Sequence, residues 1–448
     1  MARITIKAGA LRRTALALAL AFGAGQAGAL TLQQAYEAAL KNDPTYRMSF
    51  YDREAAQENV VIGRAGLLPN VSASYAASRN NADVEDLQFG IPYRDRPRYI
   101  SRSAGIQLRQ PILNLDGVAR YRQGRVQARQ GQAAFEASGG DVAVRVASAY
   151  MDALFAEDQV ALSRVARDMY VEMAKVNARL FEKGEGTRTD MLETQARLDL
   201  AEAQLVEAQD NAVAARETLA GIIGMDPGSL DKLGGSFRPA TIAPAGFEAW
   251  ERIARERNPA LAAARLAVEN ARLEIERNRA GHYPRVDLVA GYSRGDAESI
   301  NTYTQNSVNR SVGVQVNIPI YQGGAVGAAT RQAGAAYGRA QSELDARTSQ
   351  VLVELRKAFS QVQSGVRKIG ALEKAVASSR LLMTATEKSI QGGVRINLDF
   401  LDAQQQLYTS QRDLAQARYA YLVALLRLRA AAGTLDEGSV REVAAYFE

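Results

Sequence analysis

Two periodicities take turns along the chain. From Leu32 to Arg64 apolar residues recur at helical spacing, and Pro44 interrupts the run because its ring removes an N–H and clashes with the turn before it. Pro69 ends the helical pattern, since the residue before a proline avoids the α region. The period then drops to two. Val71, Ala73, Tyr75 and Ala77 are interleaved with Ser72, Ser74 and Ser78, and Ile100, Ala104, Ile106 and Leu108 with Ser101, Ser103, Gln107 and Arg109. Later, Val286, Leu288, Ala290 and Tyr292 form one stripe, and Val312, Val314, Val316, Ile318 and Ile320 another, opposite Ser311, Gly313, Gln315 and Asn317. Alternation of this kind predicts strands with one apolar and one polar face. The polar stretches near Asp83 to Arg98 and Asp296 to Asn309 read as loops facing outside.

After each strand pair the helical period returns. Arg120 to Phe181 and Ala328 to Gln391 contain no proline, and each predicts one helix of roughly 90–95 Å. Helices that long need partners throughout, and a seven-residue pattern supplies them. Leu407, Leu414, Tyr421 and Leu428 alternate with Ser410, Ala417, Ala424 and Ala431. Earlier, Leu198, Leu205, Ala212 and Leu219 alternate with Ala201, Ala208, Ala215 and Ile222. A large/small seam lets neighbouring helices pack knobs into holes at close approach.

The plan is written twice. Asn42-Asp43-Pro44 recurs as Arg257-Asn258-Pro259, Leu68-Pro69-Asn70-Val71 as Tyr283-Pro284-Arg285-Val286, and Ile106 to Ile112 as Val314 to Ile320. Gly184 to Leu192 recurs as Gly393 to Leu401, with Asp190 matching Asp399, and Gly224 recurs as Gly433. The order is kept at a spacing of about 210 residues, far longer than a solenoid repeat. We therefore expect a first structural repeat over 30–233, a Gly/Pro-rich connector over 234–246, a second repeat over 247–433 and a C-terminal tail over 434–448. Residues 1–29 read as a signal peptide. Arg3, Lys7, Arg12 and Arg13 precede the apolar run Ala15 to Phe22, and Ala27-Gly28-Ala29 has the small-x-small cleavage form.

Composition narrows the chemistry. Subtracting the four basic charges of that peptide from the formal +6 leaves +2, too balanced a chain for a nucleic-acid partner. With no cysteine there is no disulfide, thiolate metal site, cysteine nucleophile or lipid-bearing cysteine, and His282 alone cannot build a His-rich metal site. No nucleophile–base pair or metal cluster suggests itself, so we expect no enzyme and no cofactor. Beyond the leader no segment is apolar enough to cross a bilayer as a helix, so any membrane span must be made of strands. Four strands cannot close a pore alone, because an open sheet edge in lipid leaves backbone groups unsatisfied. Either the strands form a small soluble sheet, as in a periplasmic helical-hairpin adaptor or scaffold, or several chains share one barrel.

The chain resembles the TolC family of outer-membrane channels. The resemblance covers nearly all of the chain after the leader. It rests on the doubled strand–helix plan, on Leu-Pro-x-Val before the first strand and on Pro319-Ile320-Tyr321-x-Gly323-Gly324 after the fourth. Its most specific parts are Gly393 to Asp402 and Ala417-Arg418-Tyr419-x-Tyr421. The resemblance implies an α+β membrane protein and a homotrimer. Each chain would give four strands to a twelve-stranded outer-membrane barrel, continued by a long α-helical barrel across the periplasm. It further implies a passive duct for type I protein secretion, multidrug efflux or both. Its partners would be outer-membrane lipid and a periplasmic adaptor coupled to an inner-membrane ATPase or proton-driven transporter.

Asp399 and Asp402 stand three apart at a helix start, so their carboxylates point the same way. Two readings stand. Asn397 could cap the helix while the acids suit its dipole, or symmetric copies could set these acids around a narrow entrance that attracts cations. By resemblance the two positions match the family's acidic constriction. The resemblance also makes Arg395 a gate latch reaching an acid of a neighbouring helix pair, for which Asp190 is the match, although the family's gating tyrosine is Ile390 here. Gly184, Gly186, Gly392 and Gly393 break the helices and would form the tips gripped by an adaptor. Tyr75, Tyr99, Tyr292 and Tyr303 are candidate interfacial aromatics.

Overall fold

The computed structural model describes residues 29–88, 90–235, 237–240, 242–299, 302–391 and 397–447. The leader, apart from Ala29, lies outside them.

Helix α1 (Leu32–Asn42) opens with a capping box between Thr31 and Gln34, and α2 (Pro44–Ala65) starts on Asp43, whose carboxylate accepts from the Thr45 N–H at 2.7 Å. Pro44 thus sits at the first helical position, where its missing N–H costs nothing. Strands β1 (Asn70–Asn81) and β4 (Arg98–Leu113) follow, then α3 (Leu115–Glu182) and α4 (Arg188–Ile223). The second half repeats the sequence of elements with α5 (Phe247–Arg257), α6 (Pro259–Arg279), β5 (Arg285–Ser299), β6 (Thr302–Asn317), α7 (Ala325–Gln391) and α8 (Asn397–Ala432). A short α9 (Glu437–Ala444) ends the chain.

The long helices span 68 and 67 residues, roughly 100 Å each, and begin one turn earlier than the proline-free runs suggested. Each folds back on its shorter partner, α3 on α4 and α7 on α8, while α2 and α6 lie along their outer halves. The expected seam is buried at Ala201, Leu205, Ala208 and Leu219 in α4 and at Ser410, Ala417, Tyr421, Ala424 and Leu428 in α8. Close approach is real: a Cβ added to Gly124 of α3 would lie 2.1 Å from the Asn59 carbonyl of α2.

Two elbows share a left-handed glycine and an asparagine bond, although the asparagines are not equivalent, since Asn42 aligns with Arg257 and Asn258 with Asp43. The Asn42 amide donates to the Ile223 carbonyl at 2.8 Å, and the Asn258 amide to that of Ala431 at 2.9 Å. Gly224 and Gly433 end the facing helices in the left-handed region, at φ 71° and 70°. A Cβ there would lie 2.6 Å from Asn42 Cβ or 2.5 Å from the Arg257 carbonyl oxygen. The main core fills the space between the elbows, around Tyr150 and Leu154 of α3, Leu355 and Val362 of α7, Leu422 and Leu426 of α8, and Val440 and Val443 of α9.

The antiparallel sheet has the order β1-β4-β5-β6. Its register aligns the sequence stripes: Val71 faces Leu108, Leu108 faces Ala290, and Ala290 faces Val312. One face is therefore apolar along its middle. The other carries Ser72, Gln107, Gly291 and Ser311. Several expectations need correction. The stretch Asp83 to Arg98 is not a plain loop but holds a hairpin of β2 (Val84–Gln88) and β3 (Ile91–Asp95), with Arg94 paired to Glu85 and Arg96 to Asp83. Most of Asp296 to Asn309 continues the strands, because pairing runs out to Ser299 and Thr302. Ile318 and Ile320 lie past the end of β6. Tyr99, an odd position in β4, shares the polar face, whereas Tyr75 and Tyr292 are on the apolar one.

Candidate functional site at the helical tip

Helix α3 stops at Glu182, and the chain turns through Gly184 at φ 74°. The N–H groups of Glu185 and Gly186 both donate to the Leu180 carbonyl, at 2.9 and 3.1 Å, which occupies an oxygen the helix end leaves free. Thr187 then starts α4 with a capping box. Its hydroxyl accepts from the Asp190 N–H at 3.0 Å, and Asp190 Oδ2 accepts from the Thr187 hydroxyl at 2.6 Å and its N–H at 3.4 Å. Asp190 therefore has a local task that its latch assignment did not foresee. Both cap bonds use the same oxygen, which leaves Oδ1 for another donor.

The second tip is described only from Asn397 onward. Gly392, Gly393 and Arg395 lie outside the described residues. Asn397 stands at the described start of α8, and its side-chain amide donates to Thr194 Oγ of α4 at 3.1 Å. The same hydroxyl oxygen accepts from the Asn177 amide of α3 at 2.7 Å, and both Thr194 and Asn177 are buried. One hydroxyl thus ties three helices.

One turn further along, Tyr170, Ala201 and Leu401 form a small apolar cluster joined by Leu198. Burial pushes the Tyr170 phenol above its ordinary pKa, and the nearby Arg197 draws it back. Beside this cluster Arg197 Nη2 of α4 donates to Asp402 Oδ1 of α8 at 2.9 Å. Asp402 was expected to present its charge to an entrance, yet here it is matched by an arginine of the other hairpin. Asp399 is half-buried in the first turn of α8, where the helix dipole favours its negative charge.

Arg197 and Thr194 escaped the sequence reading because they lie 205 and 203 positions from their partners. The available signal was the doubling itself: Glu193, Thr194 and Arg197 stand where the second half has Asp402, Ala403 and Gln406, so neither the ion pair nor the threonine junction can be mirrored. Among the described residues no cluster of acids and histidine could hold a metal, and no helix is long and apolar enough to cross a membrane.

An exposed apolar strand face carried on helical hairpins of this length fits a membrane conduit. The comparisons agree. The model of the "Outer membrane efflux protein" family matches residues 35–225 and again 250–434, and the chain belongs to that family. It is 40% identical over 421 residues to the alkaline protease secretion protein AprF of Pseudomonas aeruginosa, covering 94% of this chain and 88% of the relative. It is 38% identical over 448 residues to the proteases secretion protein PrtF of Dickeya chrysanthemi, covering 98% and 96%. Among solved structures, CusC aligns with a TM-score of 0.78 at 18% identity over 92% of this chain and 96% of that one, a likeness of fold. The protein is an outer-membrane channel with a periplasmic extension, and it is not an enzyme.

Proposed function

We propose that three copies of the chain assemble one continuous duct and that its main cargo is secreted protein. The observation that carries the assembly is the sheet: β1 and β6 are its outer strands, and its apolar face is exposed at Val71, Tyr75, Val312 and Val314. Four strands from each copy would close a twelve-stranded barrel and remove every edge from lipid. The equivalent left-handed glycines Gly224 and Gly433 and the doubled family match support an internal repeat with the bounds given above. AprF and PrtF, named for protease secretion, support a type I protein-secretion role, with small-molecule efflux as a second use. The duct performs no chemistry, and an adaptor with an inner-membrane ATPase or proton-driven transporter would supply the energy.

At the tip, symmetry would bring the Asp399 and Asp402 carboxylates of all copies into a cation-attracting ring. Arg395 would latch the closed state onto Asp190 Oδ1 of a neighbouring hairpin, and Gly184, Gly186, Gly392 and Gly393 would shape the tips an adaptor grips. A heat-sensitive trimer extracted with the outer membrane is expected on gels, and a water-soluble monomer would end the reading. Arg395→Ala should raise the conductance of the resting channel in planar bilayers, and an unaltered conductance removes the latch. Deleting the gene should abolish export of a protein substrate; loss of drug resistance alone would reassign the duct to efflux.

A further inference from the structure

The sheet's apolar face changes character along its length, and the change points to a ligand. Strands β1, β4, β5 and β6 join helices at Asn70, Leu113, Arg285 and Asn317, so the Asn81, Arg98, Ser299 and Thr302 ends are the far ends. Near the helices this face is uncharged, with Val71, Leu108, Ala290 and Val312 in one row. Moving outward, Ile106 and Tyr292 face Arg310, then Ala104 faces Arg294, then Ala77 faces Arg102, and Arg79 faces Ile100. Arg310, Arg294, Arg102 and Arg79 step one row per strand. Each is the diagonal neighbour of the next, about 7–8 Å away by ordinary sheet geometry.

All four are exposed, and among the described residues none forms an ion pair. Arg310 reaches only the Tyr292 ring, 5.7 Å from its centroid. Asp296 faces Arg102 in the register, yet its Oδ1 is buried without a hydrogen-bond partner. The polar face handles arginine differently. There Arg285 donates to Asp287 at 3.1 Å, and Arg109 lies 3.8 Å from the same buried carboxylate. On the polar face these arginines stand beside a buried carboxylate; on the apolar face none of the four forms an ion pair among the described residues, although Asp296 stands opposite Arg102.

Adjacent like charges repel, and arginine on a lipid-facing strand is costly at mid-bilayer but tolerated near the interface. The diagonal therefore belongs at the outer edge of the apolar band and needs external anions. Guanidinium groups take phosphate oxygens in bidentate fashion, and a row of them suits a headgroup carrying more than one phosphate. We propose that Arg79, Arg102, Arg294 and Arg310 form a binding site for phosphorylated glycolipid headgroups of the outer leaflet. This rests on the barrel reading above.

The test is retention of lipid by the purified full-length assembly, read by native mass spectrometry. The probes are a diphosphorylated glucosamine-disaccharide lipid and the same lipid with its phosphates removed. The unmodified protein should prefer the phosphorylated form, and the preference should fall about fivefold for each arginine replaced by glutamine. Equal retention of the two lipids overturns the site, as does a preference that survives in the Arg79→Gln, Arg102→Gln, Arg294→Gln, Arg310→Gln variant. Inorganic phosphate at matched concentration should not displace the lipid; displacement would mean a free-anion site and overturn the lipid assignment. Single-channel conductance should be unchanged in the variant. If the fourfold variant does not assemble, Arg294→Gln with Arg310→Gln asks the same question. A wrong barrel reading would appear as absent conductance in the unmodified protein; a wrong lipid site would appear as normal conductance without phosphate dependence.

Discussion

The starts of α4 and α8 occupy equivalent places in the doubled chain, and their described residues make different contacts. The first closes on itself, since its turn bonds back to Leu180 and Thr187 and Asp190 cap each other across the start of α4. At the second, α8 begins by leaning on the first hairpin, through Asn397 to Thr194 and Asp402 to Arg197. At the elbows, by contrast, both halves send an asparagine amide to the end of the facing helix, though from repeat positions one residue apart, and both end that helix on a left-handed glycine. A hairpin whose start depends on its neighbour can be released by moving that neighbour, which a self-closed turn cannot offer.

Four variants probe that contrast, from the largest expected effect to the smallest. Asp399→Ala with Asp402→Ala should weaken block by a trivalent cation on the order of a hundredfold, equivalent to ~3 kcal/mol; unchanged block in single-channel recordings refutes the acidic ring. Thr194→Val removes the acceptor shared by Asn177 and Asn397 and strands a buried amide. It should cost about 1–3 kcal/mol in thermal unfolding and raise resting conductance. An unaltered melting curve would mean that the polar junction holds nothing. Thr187→Ala should cost about 1 kcal/mol in thermal unfolding through loss of the cap. An unaltered melting curve would mean that the Thr187–Asp190 cap holds nothing. Arg197→Ala should barely move stability, about 0.2–1 kcal/mol for a partly exposed pair, but should increase cation selectivity by baring Asp402. Identical reversal potentials in both proteins would remove Arg197 from the entrance.

The regular parts of the fold were legible for physical reasons. Period-two stripes matched the observed register, because shifting a strand by one residue would turn every apolar side chain to the wrong face. Proline-free runs gave the long helices because nothing in them interrupts the backbone bonds. The β2–β3 hairpin was missed because Glu85, Arg94 and Asp95 disguise the alternation and Pro92 sits inside it, while pairing between Glu85 and Arg94 bridges the strands. At the tip, the acids and glycines could be named from their places near helix ends. Their partners could not, since Thr194 and Arg197 become neighbours of α8 only after two long hairpins have folded beside each other.

The strands β1 and β6 that bound the sheet have a consequence for biogenesis. In the barrel proposed above, a subunit whose backbone amides are completed only by other copies would have no stable resting place in hydrocarbon while alone. Insertion and assembly then become a single event, and the persistence of each polypeptide depends on how many others are present, as in obligate oligomers. A cell making this protein slowly would hold it outside the bilayer, exposed to chaperones and proteases, until enough copies had gathered.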